Sequence, residues 1–126
     1  MIKLNIEDSL EIEPKGGVYN NFFIMKLFKY GSLIKSINIS IYEITMIYTF
    51  FNQLLIKSNN DDKKIINIDN GSRIVFLLTE YRSIFMSIEN KVPNWIYSLY
   101  ISSEYINDII EYFKSFILSY KGIKNR

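Results

Sequence analysis

An Asn-Gly dipeptide between two apolar segments is the feature of this sequence that most constrains its fold. Asn70 and Gly71 separate KIINID from SRIVFLL. A two-residue type I′ turn requires positive φ at both central positions, which Asn and Gly tolerate, so the pattern predicts an antiparallel hairpin. The segments SIFMSIEN and NWIYSLYIS follow, with KVP between them. The second half of the chain is therefore predicted to contain four strands.

The first half of the chain also shows the two-residue alternation of half-buried strands. Apolar and polar residues alternate from Ile2 to Ile6, and the alternation resumes from Leu10 to Ile12. This pattern predicts one half-buried strand or a bent pair. The segments NNFFIMKLFKY and LIKSINIS flank Gly31 and Ser32, and we interpret them as a hairpin.

Two amphipathic helices are expected, each following a group of strands. Ser40 and Glu43 stand three residues apart before an apolar run, which is a capping-box arrangement. The second helix is expected to begin after Ser102 or Ser103 and to stop at Gly122. Apolar residues at helical spacing form the core stripe of each helix: Ile41, Ile44, Ile47, Tyr48, Phe51, Leu54 and Leu55 in the first, and Ile106, Ile109, Ile110, Phe113, Phe116, Ile117 and Tyr120 in the second.

These elements predict an α+β fold with the order ββ(β)αββββα. The 126 residues fit one domain, residues 1–126, and the sequence shows neither a linker nor an internal repeat. We expect a mostly antiparallel sheet of about six to seven strands with two amphipathic helices packed on it.

The composition excludes several kinds of chemistry. Histidine and cysteine are absent, so disulfides, thiolate nucleophiles, Ser-His-Asp triads and histidine-containing metal sites are excluded. The glycines lack a phosphate-loop context. Glu104, Asp108 and Glu111 lie on the polar side of a helix, where a solvated acidic face is the simpler interpretation than an all-oxygen metal site. The sequence therefore predicts a protein that is not an enzyme and holds no metal or cofactor.

Membrane association and secretion are not expected. The segment from Ile41 to Ile56 is interrupted by Glu43, Asn52 and Gln53 and is shorter than the roughly 20 residues of a membrane span. The first residues are acidic and alternating, which is unlike a signal peptide. We expect a cytoplasmic protein. The formal net charge of +2 is too small to indicate nucleic-acid binding by itself.

The first-half hairpin mixes aromatic rings with cations, which suggests a stacking platform for single-stranded nucleic acid. The residues of this alternative site are Phe22, Lys26, Phe28, Lys29 and Lys35. A central strand covered on both faces would also need aromatic residues on both faces, so a purely structural role explains the same pattern.

Tyrosine and acidic residues at predicted turns are candidates for contacts with a protein partner, because tyrosine is enriched at interfaces. The candidate partner-binding residues are Tyr19, Tyr30, Asp61, Asp62, Glu80 and Tyr81.

A short motif before the last strand is similar to one in a known family. Glu89, Pro93 and Trp95 form an E-x-x-x-P-x-W turn, the strand residues Tyr97, Leu99 and Ile101 follow, and SSEYINDIIEYFKSFI closes the chain. IDNGSRIVFLL stands where the family has its EPN strand pair. With the order of elements, this resembles the WapI-type immunity proteins of polymorphic contact-dependent toxin systems. The resemblance implies a cytoplasmic binding protein that occludes a toxin domain and has no active site.

Two hypotheses of different classes follow. The leading one is a non-catalytic protein-binding inhibitor, an immunity protein that neutralises a bacterial toxin, with a phage-encoded counter-defence protein of the anti-CRISPR kind in the same physical class. The alternative is single-stranded nucleic-acid binding on the aromatic and lysine-rich hairpin. Nucleic-acid binding predicts an affinity that falls with salt, whereas inhibition of a protein does not require it.

Overall fold

The computed structural model describes residues 1–16, 22–56, 63–68, 71–79, 82–91 and 94–124. These residues form eight strands, two α-helices and one 3-10 turn. The elements are β1 (Ile2–Lys3), β2 (Asp8–Pro14), β3 (Phe22–Lys29), β4 (Ser32–Ser40), α1 (Ile41–Ile56), β5 (Lys63–Asn67), β6 (Ser72–Leu78), β7 (Ile84–Lys91), β8 (Asn94–Ile101), the 3-10 turn (Ser103–Tyr105) and α2 (Ile106–Lys124).

The strands form two antiparallel sheets of four strands each, and a helix follows each sheet. The first sheet has the order β1-β2-β3-β4 and the second has the order β5-β6-β7-β8. The predicted α+β class with antiparallel strands and two helices is confirmed. The strands number eight in two sheets, rather than six to seven in one, because alternation marks a strand without marking its neighbours.

The two halves of the chain therefore repeat one arrangement, four strands and then a helix. The sequence shows no internal repeat, since different residues specify the same order of elements in each half. In the order of the chain, α1 lies between β4 and β5 and so separates the strands of the first sheet from those of the second.

Asn5 bends the chain between β1 and β2. Its side-chain Oδ1 accepts hydrogen bonds from the backbone N–H groups of Glu7 (2.7 Å) and Asp8 (2.8 Å), which is the turn that Asn favours. Leu4 is buried before the bend, and Ile6, expected on the same face, is exposed. The sequence predicts either one half-buried strand or a bent pair of strands in this segment, and the structure has the bent pair.

Both predicted hairpins are present in the described strands. Tyr30 and Gly31 have φ of 51° and 81° and connect β3 to β4. Gly71 has φ of 84° between β5 and β6, whereas Asn70 lies outside the described residues.

The start of α1 is confirmed and the predicted end of α2 is wrong. The Glu43 N–H donates to Ser40 Oγ (3.4 Å), which is the first bond of a capping box. The Ser40 hydroxyl also donates to the Glu43 carboxylate. The Ser102 side chain makes no capping bond, and its carbonyl accepts from the Tyr105 N–H instead. Helix α2 continues past Gly122 to Lys124, because glycine permits a left-handed stop without imposing one.

One apolar cluster contains residues from both sheets and both helices. Phe50 and Phe51 of α1 meet Phe76 of β6 at its centre, with ring centroids 5.5 Å and 5.3 Å from the Phe76 centroid. Trp95 is half-buried and packs against this cluster. No helix within the described part of the chain is long and apolar enough to cross a membrane.

Candidate functional site

Tyr30 is the one predicted partner-binding residue that lies among the described residues. Tyr19, Asp61, Asp62, Glu80 and Tyr81 lie outside them. Tyr30 is 73% exposed at the tip of the first hairpin and holds a positive φ, which is uncommon for a bulky residue. A hydrogen bond to the Glu7 side chain raises the pKa of its hydroxyl.

Carboxylates neutralise the lysines of β3. Lys26 Nζ lies 2.8 Å from Glu13 Oε2, and this hydrogen bond raises the pKa of Lys26. Lys29 Nζ lies 3.8 Å from Glu7 Oε2. Both lysines of β3 thus have a carboxylate close by, which weakens their attraction for phosphate.

The structure places neither Lys29, which is in phase with the buried residues of β3, nor Lys35 on the face that the other residues of the predicted nucleic-acid site share. Phe22, Lys26 and Phe28 alternate with the buried positions of β3 and share its outward face. Lys35 pairs with the buried Leu27 and so lies on the inward face. Its Nζ sits 3.9 Å from the centroid of the Trp95 ring. The predicted hairpin platform is therefore split between two faces of the sheet.

A different surface combines aromatic rings in the geometry of a stacking platform. It is the outward face of the second sheet, here named the aromatic face. Its exposed large apolar side chains come from all four strands: Ile65, Leu77, Phe85, Ile96 and Tyr100.

Phe85 and Tyr100 form the centre of the aromatic face. They are directly opposite each other on β7 and β8, and Leu77 is opposite Phe85 on β6. The two ring centroids are 5.4 Å apart with the planes at 63°, an edge-to-face pair. Phe85 is 47% exposed and Tyr100 is 38% exposed. Each ring therefore presents a surface to solvent while the other fixes its position.

Polar groups surround this ring pair. Ser87 and Ser98 occupy the next row, with their hydroxyl oxygens 3.3 Å apart. Lys63 is exposed on β5 opposite Leu77. In the row beyond the serines, Arg73 forms an ion pair with Glu89, which is the one carboxylate among the described outward side chains of this sheet.

The sequence analysis missed this surface although its signal was present. In the strand SIFMSIEN, Ile84, Met86 and Ile88 are buried, so Phe85 stands on the opposite face. Tyr100 likewise lies between the buried Leu99 and Ile101. Side chains alternate between the two faces of a strand, so an aromatic residue between two buried aliphatic residues is expected to point outward.

Among the described residues, no group of three or more acidic side chains is placed to hold a metal ion.

The fold is similar to two solved structures. The Trypanosoma brucei proteins MRP1/MRP2 match with a TM-score of 0.64 and 6% identity, over 98% of this chain and 81% of theirs. The plant transcriptional regulator PBF-2 matches with a TM-score of 0.54 and 10% identity, over 98% of this chain and 90% of its own. At these identities the likeness shows a shared fold alone. No protein-family profile and no curated protein matches the sequence, so the resemblance to WapI-type immunity proteins stays a prediction.

Proposed function

We propose that this protein binds single-stranded nucleic acid on the aromatic face and acts by binding rather than by catalysis. The observation that carries the proposal is the exposed Phe85–Tyr100 ring pair on the solvent face of an antiparallel sheet. Rings in that position stack on unpaired bases, and every base has a face on which a ring can stack.

The aromatic face is long enough to bind a short stretch of single-stranded nucleic acid. Tyr100 and Ile96 are four residues apart on the same face of β8, which corresponds to about 13 Å. Ser87 and Ser98 between them offer hydroxyl groups to sugar and phosphate oxygens. A nucleic-acid strand lying along β7 and β8 would contact the two rings at one end and polar side chains further along.

The shared fold adds support of a general kind. PBF-2 is a plant transcriptional regulator, so this arrangement of two sheets and two helices is used by a protein that acts in transcription, a process carried out on nucleic acid. That likeness is at fold level, and the residues of the aromatic face make the specific case.

The charge of the face predicts how binding depends on salt. Lys63 and Arg73 are its described cations, and Glu89 offsets Arg73. Each neutralised phosphate of a single strand contributes about −0.7 to the slope of log K against log salt concentration. Stacking rather than charge therefore supplies most of the affinity, and one to two neutralised phosphates predict a slope between about −0.7 and −1.4.

The test is binding of the full-length protein to short labelled single-stranded DNA and RNA, followed by fluorescence anisotropy. Phe85→Ala and Tyr100→Ala should each weaken binding by about fivefold to a hundredfold, the effect of losing one stacked base. Tyr42→Ala is the matched control, because Tyr42 is an exposed ring on helix α1. The proposal fails if the wild-type protein does not bind at about 50 mM salt, or if all three variants bind equally well.

A protein partner is the second candidate, favoured by the exposed aliphatic residues of the same face. Ile96 is 61% exposed on the same face of the sheet as Leu77 and the rings. Exposed apolar surface of this kind is typical of a protein-binding site. If the partner is a protein, the inhibitor hypothesis applies to this face. The protein would then be an immunity protein against a bacterial toxin or a phage counter-defence protein.

Co-expression with the product of the adjacent gene tests this second candidate. A toxin activity abolished by the wild-type protein and restored by Ile96→Asp would support inhibition through this face. An undiminished toxin activity in the presence of the wild-type protein would count against it.

A further inference from the structure

A pocket lies where the bend between β1 and β2 meets the end of β8. The Asn5 side-chain amide donates to the Tyr100 carbonyl, and the Ser102 N–H donates to the Leu4 carbonyl (2.9 Å). These bonds join the first sheet to the second beside the ring pair. The pocket has a volume of about 470 Å³, within the range of small-ligand sites. Phe85 and Tyr100 form part of its lining.

Carboxylates outnumber cations around this pocket. Glu7, Asp8 and Glu104 line it, and Lys29 is the one basic residue among the described side chains of its lining. Lys29 is directly opposite Asp8 in the β2–β3 pairing, but its Nζ lies 3.8 Å from Glu7 Oε2. The ion pairs of the described residues thus leave Asp8 and Glu104 without a basic partner. The pocket is therefore expected to attract cations.

Asp8 gives an independent indication of a ligand. Its side chain is buried, with the residue only 6% exposed. Its Oδ2 accepts from the Asn5 amide (2.8 Å), whereas its Oδ1 has no hydrogen-bond partner among the described residues. Buried polar atoms normally have partners, and a buried charge without compensation is costly. A cation in the pocket that Asp8 lines would offset that charge.

We infer that this pocket binds a guanidinium group, held between the ring pair and the carboxylates of Asp8 and Glu104. A guanidinium is planar, so it stacks on aromatic rings, and its five N–H donors bond carboxylates at its edge. Exposed rings beside carboxylates without a basic partner supply both kinds of contact. The same carboxylates repel phosphate, so the inference goes beyond the proposed function and does not rest on it.

Other cations match the pocket less well. The described acidic side chains form no group of three or more that is placed to hold a metal ion, so the carboxylates of this pocket suit a larger cation. An alkylammonium ion carries a compact charge with three donors and has no flat face to stack on a ring. The guanidinium group has two possible sources, an arginine side chain of a protein partner and a free guanidinium compound.

The experiment titrates the full-length, isotope-labelled protein with N-acetylarginine amide and with N-acetylcitrulline amide, followed by NMR amide shifts. Citrulline carries a neutral urea group of nearly the same shape in place of the guanidinium, so the comparison isolates the charge. We expect the arginine compound to bind about tenfold to a hundredfold more tightly, the effect of hydrogen bonds to a charged group. The shifts should centre on the residues that line the pocket.

Butylguanidinium, which has no peptide groups, distinguishes the two sources. If N-acetylarginine amide binds at least as tightly as butylguanidinium, the pocket accommodates an arginine residue of a protein. If butylguanidinium binds and the arginine compound does not, the ligand is a free guanidinium compound. Either result supports the site.

Substitutions in the pocket are the protein-side test. Glu104→Gln should weaken binding of the tighter guanidinium ligand by about twofold to fivefold, as for an exposed ion pair, and Asp8→Asn, which removes a buried charge, by a larger factor. Phe85→Leu removes a ring and should weaken it by about twofold to thirtyfold. Glu111→Gln, at an exposed carboxylate of α2, is the matched control and should bind as wild type does. The thermal midpoint of each variant verifies folding, and the comparison of ligands on the wild-type protein stands without any variant.

The outcomes keep this inference separate from strand binding. No saturable shift at the pocket with either guanidinium compound overturns it, and so does equal binding of the arginine, citrulline and butylguanidinium compounds. Binding that is unchanged by both Glu104→Gln and Asp8→Asn places the cation elsewhere and also overturns it. Strand binding is tested by the oligonucleotide titration, which none of these results affects.

Discussion

The amine of Lys35 lies over the ring of Trp95, 3.9 Å from the ring centroid and 5.6 Å from the centroid of the neighbouring Tyr97 ring. Lys35 belongs to β4 and Trp95 to β8, each the last strand in the order of its sheet. The contact therefore joins the edges of the two sheets. A cation in this position is attracted by the negative face of the indole.

Removal of the Lys35 charge should destabilise the protein modestly. Lys35→Met keeps much of the apolar stem and removes the cation, so we expect the free energy of unfolding to fall by about 0.5–1 kcal/mol. Trp95 is the one tryptophan of the chain, so its emission should shift at the same time. Urea unfolding followed by tryptophan fluorescence measures both effects. Lys3→Met, at an exposed lysine of β1, is the control, and an equal loss in that variant would contradict a specific contact.

The local patterns predicted individual elements well and their assembly less well. The Ser40 capping box marked the start of α1 to the residue, because its determinants lie within four residues. The pairing of strands into two sheets depends on contacts distant in sequence. The placement of Lys35 and Lys26 on opposite faces could not be predicted for the same reason. An irregularity between Leu27 and Phe28 shifts the register of β3 against β4, and the alternation of residues alone does not reveal it.

The candidate site shows the same division. That Phe85 points outward follows from the phase of its strand, whereas its pairing with Tyr100 requires the β7–β8 register. The Arg73–Glu89 pair likewise joins residues from two strands. The neutralisation of Lys26 by Glu13 depends on the β2–β3 pairing and could not be predicted from either segment alone.

Loss of the Ser40 hydroxyl should weaken the start of α1. Ser40→Ala removes the acceptor for the Glu43 N–H and the donor to the Glu43 carboxylate. We expect the free energy of unfolding to fall by about 0.5–2 kcal/mol. Thermal or urea unfolding measures the change. Ser36→Ala, at an exposed serine of the same strand, should have little effect, and a similar loss there would contradict the capping role.

Tyr112 should make stability depend on alkaline pH. Burial raises the pKa of its hydroxyl, the hydrogen bond from the Ile12 N–H (3.0 Å) opposes that rise, and Glu11 and Glu13 add to it. Because the folded-state pKa lies above the unfolded value of about 10, the stabilisation is fully present below pH 10. It is lost as the pH rises through the folded-state pKa.

Tyr112→Phe provides the measurement. At neutral pH the variant leaves the Ile12 N–H without this acceptor and should lose about 1–3 kcal/mol. The difference between wild type and variant should stay constant up to about pH 10 and shrink above it. Urea unfolding across that range tests the sign. Tyr42→Phe, at an exposed tyrosine of α1, is the control, and a difference that grows with alkaline pH for Tyr112 would refute the assignment.

Phe85→Leu distinguishes the two candidate partners of the aromatic face. Leucine keeps an apolar side chain opposite Tyr100 but has no ring, so base stacking is lost while an apolar contact with a protein is largely retained. If the partner is single-stranded nucleic acid, the affinity should fall by about fivefold to a hundredfold. If the partner is a protein bound through apolar contact, its affinity should change far less than with Ile96→Asp. Anisotropy with labelled oligonucleotides and titration with the co-expressed partner give the two affinities, and a variant that binds oligonucleotides as tightly as wild type would remove stacking at Phe85 from the proposal.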